Sequence, residues 1–544
     1  MLLKSKILLS LAALLTALSL PLGSVSAAVL EEIIVTSERR EENLQAVPIA
    51  VTALNMEQLG KLQVNEARDL QRYAPSLNMF NNITHPSNLS LSLRGGLQQD
   101  ASLVTAESPV GIYVDDIYVA RLNGNNVTLS DIERVEVLRG PQGTLYGRNT
   151  GYGAVRFISR TPGEDMWADA TAGLGNDEQI LVRGSAGGPI SDSWAASLAG
   201  QFREKDEQFF NFHPSANTDT GREKNTAFRG KLRYMGSDTF DAIFSLAFSQ
   251  SRNDSNQMPN GKTPLIAGDC QELVGDPMGT CPEGVTTQFT TEDLVFTNGI
   301  RGTNTAWMDR EPKPLVARPS ADTQQTIMGL TLTWDINDNL TFKSITGIVG
   351  LDANFMTDFN GNTGLTFDGA GVPTSGQPGF IGGSETKSDS VSQEFQLLGT
   401  AMNDRLNYVA GLYWFKEDST QFWGWNFLGP LSQSTINTET DSIAVFGEAS
   451  FNITDNLKVT AGARWTEDDK FYQFDYERFD GNFFSFIPGF GATMETIVLE
   501  QEPSDVLPRF VVDYQLGDML FYGQVAKGFK GAGASSPART SVFA

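Results

Sequence analysis

From about residue 168 onward, apolar and polar residues alternate along the chain. Leu457, Val459, Ala461, Ala463 and Trp465 are interleaved with Lys458, Thr460, Gly462, Arg464 and Thr466, so an extended strand here turns out one greasy face and one wet face. The same period runs through Phe240, Ala242, Phe244, Leu246 and Phe248, and through Phe510, Val512, Tyr514 and Leu516. Alternation also fits a soluble sheet with one buried face, so the connections discriminate. Short ones fall at Ser191 and Asp192, Gly236 to Asp238, Asn337 to Asn339, Asn403 and Asp404, Thr454 to Asn456, and Gly517 and Asp518, all rich in tight-turn residues. Long polar segments separate them, the longest from Ser251 to Ala321, and such loops are rare inside compact soluble domains. Tight turns on one rim and long loops on the other predict a transmembrane antiparallel β-barrel of the outer-membrane kind. Trp194, Trp334, Trp414, Trp465, Tyr514 and Tyr522 would form its interfacial girdles.

The pattern yields about 13 strands between residues 168 and 530, an odd number in a class that is normally even. Ser535 to Ala544 reads as a turn-like tail and not as a closing strand. The expected fold is mainly β, with residues 164–544 forming a partial, C-terminally truncated barrel of about 13 of the roughly 22 strands in a plugged transporter. At the other end, Lys4 and Lys6 precede an apolar run from Ile7 to Leu20, followed by Val25, Ser26, Ala27 and Ala28. That order is a secretory signal, assigned to residues 1–27, and implies Sec-type export with cleavage. The run is shorter than the roughly 20 residues of a spanning helix, and no later run approaches that length.

The chain carries 40 Lys and Arg against 65 Asp and Glu, and loss of the signal removes two lysines and no acid. Such a chain repels phosphate backbones, so nucleic acid is not an expected partner. Its two histidines, His85 and His213, are far apart, which leaves no two-histidine metal motif, and nothing marks a nucleophile elbow. No catalytic residue, metal site or cofactor is expected, and the protein is not read as an enzyme. Cys270 and Cys281 lie in a turn-rich segment, and in an exported chain a local disulfide between them is expected.

Residues 31–162 have a different texture, with short helix-like and strand-like pieces punctuated by glycine. Glu32, Ile33, Ile34, Val35 and Thr36, after Glu31, look like a TonB box, followed by RREENLQAVPIAVT from Arg39 to Thr52. Ser92, Leu93, Arg94 and Gly95 come next, then IERVEVLRGPQGTLYG from Ile132 to Gly147, which contains Glu136, Arg139, Gly140 and Pro141. On these residues the chain resembles the TonB-dependent receptors over nearly its whole mature length. It departs at GAVRFISRTP, where Arg156 stands in place of the usual apolar residue or Asn.

The resemblance implies a box and linker over 28–44 and an α+β plug over 45–163 in the barrel lumen. It implies TonB of the TonB, ExbB and ExbD complex, outer-membrane lipid and a small-molecule chelate as partners, and energised import as the activity. It also implies that Arg94 and Arg139 pair with carboxylates of the barrel wall. The physical reading agrees: Glu32 to Thr36 is β-prone and close to a chain end, where chains are poorly ordered. Such a segment can join a partner's sheet edge by strand addition. A plug ahead of the barrel argues against a passive porin, and the few residues between signal and box leave no room for a signalling domain. The glycines at 140, 143, 147, 151 and 153 lack a phosphate-loop ending and are assigned to plug turns.

Cargo contacts are expected in three polar excursions, from Phe80 to His85, from Gln98 to Ser108 and from Arg121 to Asn126. Phe80, Asn81, Gln98, Gln99, Asp100, Arg121 and Asn123 are the candidate ligands. By position they resemble the family's apical loops, and their amides suit a chelate with many oxygen acceptors. Haem would favour an axial histidine, and only His85 is in reach. A ferric siderophore is therefore the expected cargo, with haem, cobalamin or a glycan as alternatives.

Overall fold

The computed structural model describes residues 34–36, 38–40, 42–81, 89–98, 102–122, 131–206, 222–254, 320–358, 366–367, 373–374, 381–426, 431–478, 493–517 and 519–534. The N-terminal segment opens on a hairpin of β1 (Ile34–Val35) and β2 (Glu42–Asn43). β3 (Ala50–Asn55) leads into α1 (Met56–Lys61). The start of that helix is fixed by a capping box in which the Gln58 amide donates to the Asn55 side chain and the Asn55 amide to the Gln58 side chain.

β4 (Leu77–Asn81), β5 (Leu89–Leu93) and β6 (Gly96–Leu97) form a small antiparallel sheet. β7 (Val110–Val114), β8 (Ile117–Tyr118), β9 (Ile132–Arg139) and, after α2 (Gly143–Tyr146), β10 (Gly153–Ser159) join β3 in a five-stranded sheet of order β3-β9-β10-β7-β8. β10 runs parallel to β7 and antiparallel to β9. All five residues of β7 are buried, which explains its unbroken apolar run VGIYV in place of alternation.

The wall follows as β11 (Trp167–Leu174), β12 (Ile180–Ser191), β13 (Trp194–Lys205), β14 (Glu223–Tyr234), β15 (Phe240–Asn253), β16 (Ser320–Asn337) and β17 (Leu340–Asp358). After a separate small hairpin of β18 (Thr366–Phe367) and β19 (Pro373–Thr374), it resumes with β20 (Ile381–Ala401), β21 (Leu406–Asn426), β22 (Leu431–Asn452) and β23 (Leu457–Arg478). β24 (Thr493–Gln501), β25 (Ser504–Leu516) and β26 (Met519–Ala526) close the list of elements. The wall is one antiparallel sheet of 14 strands. β24 and β25 lie end to end along β23, pairing with Lys470–Arg478 and Leu457–Glu467 respectively, so the sheet is crossed about 13 times, as the alternation predicts. β11 and β26 each pair on one side only, so the sheet is open among the described residues.

Burial is inverted relative to a soluble sheet. Phe244, Trp465, Phe510, Val512 and Leu516 face outward and are exposed, whereas Thr460, Arg464, Thr466, Asp468 and Lys470 face inward and are buried. Apolar-out and polar-in is the barrel arrangement that lipid demands. Trp194, Trp334, Tyr514 and Tyr522 sit exposed close to the tight turns, and Trp414 and Trp465 sit further along their strands. No helix of the described residues is long and apolar enough to cross a membrane.

Candidate functional site: the interface between plug and wall

The box segment is docked, not loose. Val35 is fully buried. The Thr36 amide donates to Glu136 Oε1 at 3.1 Å, its hydroxyl accepts from Arg134 and Arg156 at 3.1 and 2.9 Å, and the Tyr146 hydroxyl donates to its carbonyl. This corrects the expectation of a poorly ordered box for Ile34, Val35 and Thr36: a buried carboxylate satisfies the Thr36 amide better than a free end could. Glu32 and Ile33 lie outside the described residues.

Charges next to the box fasten it to plug and wall together. Arg39 pairs with Asp116 at 3.0 Å and with Glu394 of β20 at 3.2 Å, and lies over the Tyr146 ring. Asp115 and Asp116 form the β7–β8 turn with φ of 48° and 67°, a left-handed conformation that Asp tolerates. Burial alone would raise the Asp116 carboxyl, but Lys343, Arg156 and Arg39 hold it well below its ordinary range. Arg156 reaches Asp116 at 2.7 Å and also pairs with Glu136. Its departure from the family pattern therefore places it at the centre of the inner ion network. Two residues beyond the box, Glu38 accepts from Arg509 of β25 at 2.6 Å, and Arg509 also binds Glu448 at 2.6 Å. Glu42 is pushed up to about 7 by burial and by the neighbouring Glu38.

The outer end of the plug has its own fastenings. Arg121 donates from Nε and Nη2 to both oxygens of Glu417 at 2.7 Å and from Nη1 to the Val104 carbonyl. Glu107 is held by Arg148 and Lys470, each at 2.6 Å, and by Asn149 at 2.8 Å. Burial would raise Glu107, but Arg148, Lys470 and the bonds from Lys470 and Asn149 keep it far below the usual carboxylate range. Arg148 also reaches Asp468 of β23 at 3.2 Å. Gln421 donates to the Ser102 carbonyl and accepts from the Val104 amide.

Two expectations need correction. Arg94 and Arg139 make no ion pair with the wall among the described residues; Arg94 is exposed, with Nη1 set where a Cβ on Gly140 would fall. Gly95 and Gly140 have φ of 87° and 101°, so they and Pro141 serve local turns. The arginines that do meet wall carboxylates among the described residues are Arg39, Arg121 and Arg148, with Arg160 at the plug exit on Asp169 of β11. Arg121, expected to touch cargo, is buried and spent on Glu417, because an unpaired buried guanidinium would be more costly. Of the other candidate ligands, Phe80 is exposed at the end of β4 and Gln98 is half-buried, while Asn81 ends the same strand with its side chain outside the described set. Gln99, Asp100, Asn123 and His85, and Cys270 and Cys281 with their expected disulfide, lie outside the described residues.

One contact has no signal in the sequence pattern. After β26 the chain leaves the sheet and enters the lumen. Lys470 and Tyr472 donate to the Ala532 carbonyl at 2.8 and 2.9 Å, the Gly531 amide to Asn149 at 2.9 Å, and the Ala534 amide to Thr105 at 3.1 Å. Side chains at 528 or 531 would meet Gly151 backbone or the Glu107 carboxylate, which is why glycine stands at both.

A polar-lined wall of antiparallel strands, filled by a charged α+β plug with a docked N-terminal strand, defines a plugged outer-membrane barrel. The profile of the TonB-dependent receptor plug domain matches residues 43–154, and that of the TonB-dependent receptor-like β-barrel matches residues 279–542. The chain belongs to the TonB-dependent receptors, a family of transporters and receptors and not of enzymes. It is similar to the pesticin receptor of Yersinia pestis, 22% identical over 92% of this chain and 63% of the relative. It is also similar to the vitamin B12 transporter BtuB of Vibrio vulnificus, 23% identical over 46% of this chain and 42% of the relative. Among solved structures, the ferric yersiniabactin uptake receptor FyuA of Yersinia pestis superposes with a TM-score of 0.67 at 18% identity, covering 90% of this chain and 67% of that one. The siderophore receptor PiuA of Acinetobacter baumannii gives 0.62 at 12% identity, over 91% and 68%. These likenesses carry the fold. The chain spans less than two thirds of the length of the pesticin receptors it matches.

Proposed function

We propose that this chain works in the outer membrane as an energised importer whose cargo is a ferric siderophore. It reaches that membrane by Sec-type export with loss of residues 1–27. TonB, in complex with ExbB and ExbD, grips the box by strand addition and draws on the inner-membrane proton gradient. The observation that carries this reading is the docked box: among the described residues β1 has a strand neighbour on one side only, β2, and Ile34 is 49% exposed. An open edge beside a half-exposed side chain is where a partner strand can add. The named cargoes of the structural neighbours support a chelate, and the matches to vitamin B12 transporters make cobalamin the competing cargo.

Deleting Glu32 to Thr36, or Ile34→Pro, abolishes energised uptake and leaves surface binding of a ferric chelate nearly intact, since proline removes a ladder donor. Normal uptake by the deletion strain would sink the assignment. Uptake of labelled cobalamin with no uptake of any ferric chelate would replace the cargo.

A further inference from the structure

Arg464 projects from β23 into the lumen and is 2% exposed. Among the described residues it makes no hydrogen bond and no ion pair, and its Nε is buried without a partner. The guanidinium instead lies 5.2 Å from the Tyr413 ring and 5.3 Å from the Phe446 ring. Gly147 of the plug closes its remaining face: a Cβ there would stand 2.6 Å from the guanidinium carbon, and its φ is 82°. Wall cations on either side are paired, Lys470 with Glu107 and Arg509 with Glu38 and Glu448.

Ring contacts offset only part of the penalty for stripping water from a guanidinium. Glu394 of β20, already paired with Arg39, attracts the guanidinium from beyond ion-pair distance, but the resting plug leaves the hydrogen-bonding fork of Arg464 unused. A buried fork that the resting state leaves without a hydrogen bond is free to take a partner in another state. The cover is the plug itself, so any rearrangement that carries Gly147 away opens Arg464 to the lumen with an aromatic ring on two sides. A planar fork between rings suits a carboxylate or a phenolate on an aromatic ring. We propose that Arg464, flanked by Tyr413 and Phe446, is a transit site that binds an anionic oxygen of the chelate as it passes along the wall after the plug shifts. This rests on the import reading above.

The test uses the full chain in a strain lacking its other chelate receptors, with Arg464→Met and Arg464→Lys. The probes are two anionic chelates, a ferric tris-catecholate and ferric citrate, and one neutral chelate, a ferric tris-hydroxamate. Surface binding in de-energised cells stays within about twofold of wild type, and the purified Met variant melts at or above the wild-type temperature. Energised uptake of an anionic probe falls at least about tenfold in Arg464→Met and recovers partly in Arg464→Lys, while uptake of the neutral probe is unchanged. A lowered melting temperature in the Met variant would assign Arg464 to holding the plug and overturn the inference. An equal loss for the neutral probe would do so too, by making a carboxylate of the protein the deferred partner. Unchanged uptake of the anionic probe overturns this inference alone. Wild type importing none of the probes overturns the import reading itself, before any variant is compared.

Discussion

The plug is clamped at both ends by buried ions, but the two clamps are built differently. At the outer end, Glu107 and Glu417 each have both oxygens satisfied, the first by Arg148, Lys470 and Asn149 and the second by Arg121 and Ser388. At the inner end, Glu38 and Glu448 share Arg509, but Glu42 Oε2 and Glu448 Oε2 are buried with no partner. Both residues line a cavity of about 160 Å³ beside the linker. A satisfied network in low dielectric rigidifies, whereas a partly satisfied one is weak. Asp468, which faces Arg148 at the outer end, also has both oxygens without a hydrogen bond. The contrast is therefore between Glu107 and Glu417, which are fully held, and Glu42 and Glu448, which are not and lie at the end where the box is attached.

The outer clamp should give the largest effect. Glu107→Ala leaves Arg148 and Lys470 without their shared carboxylate, and loss of one member of a buried ion network costs about 3–5 kcal/mol. Glu448→Gln, with Arg509 still on Glu38, should cost about 1 kcal/mol. Denaturant unfolding of the plug in the solubilised protein measures both, and equal losses would break the asymmetry. An effect smaller than that of Glu107→Ala comes from Gly531→Ala. Its Cβ would run into the Glu107 carboxylate, and overpacking of this kind costs about 1–3 kcal/mol. A midpoint that does not move would show that the chain after β26 can shift away, so that it takes no part in the outer clamp.

Period-two alternation made the wall legible in the sequence, because which face a residue takes is set by its immediate neighbours. Asp, Asn and Gly clusters located the turns for the same local reason. The clamps were not legible. Arg121 and Glu417 are 296 positions apart, and nothing local distinguishes an arginine that meets cargo from one that meets the wall. Arg94 and Arg139 carried the family pattern yet stay within the plug, whereas Arg156, which broke the pattern, holds Glu136 and Asp116. Gly528 and Gly531 carry no local signal of their contacts, since what a glycine faces across the lumen depends on tertiary packing.

The inner clamp differs from the outer in one further respect: it titrates near neutral pH. Glu42 stands opposite Val35 in the β1–β2 pair, and its carboxyl is raised from an ordinary 4.5 to about 7. Folded protein therefore binds a proton that the unfolded chain has lost over this interval, so stability falls as pH rises. The contribution of a protonated Glu42 is complete below its ordinary value and is lost as pH climbs through about 7. At roughly 1.4 kcal/mol per unit, reduced by solvent screening of a half-buried group, the hairpin should loosen by about 1–2 kcal/mol. Hydrogen exchange at the Val35 and Thr36 amides, corrected for intrinsic rates, reads this directly at about pH 5 and about pH 8. Wild type should lose protection at the higher pH, and Glu42→Gln, which cannot ionise, should keep it at both. Equal protection of wild type at the two values would remove the titratable element from the inner clamp. Persistent pH dependence in Glu42→Gln would show that Glu42 is not the titrating group.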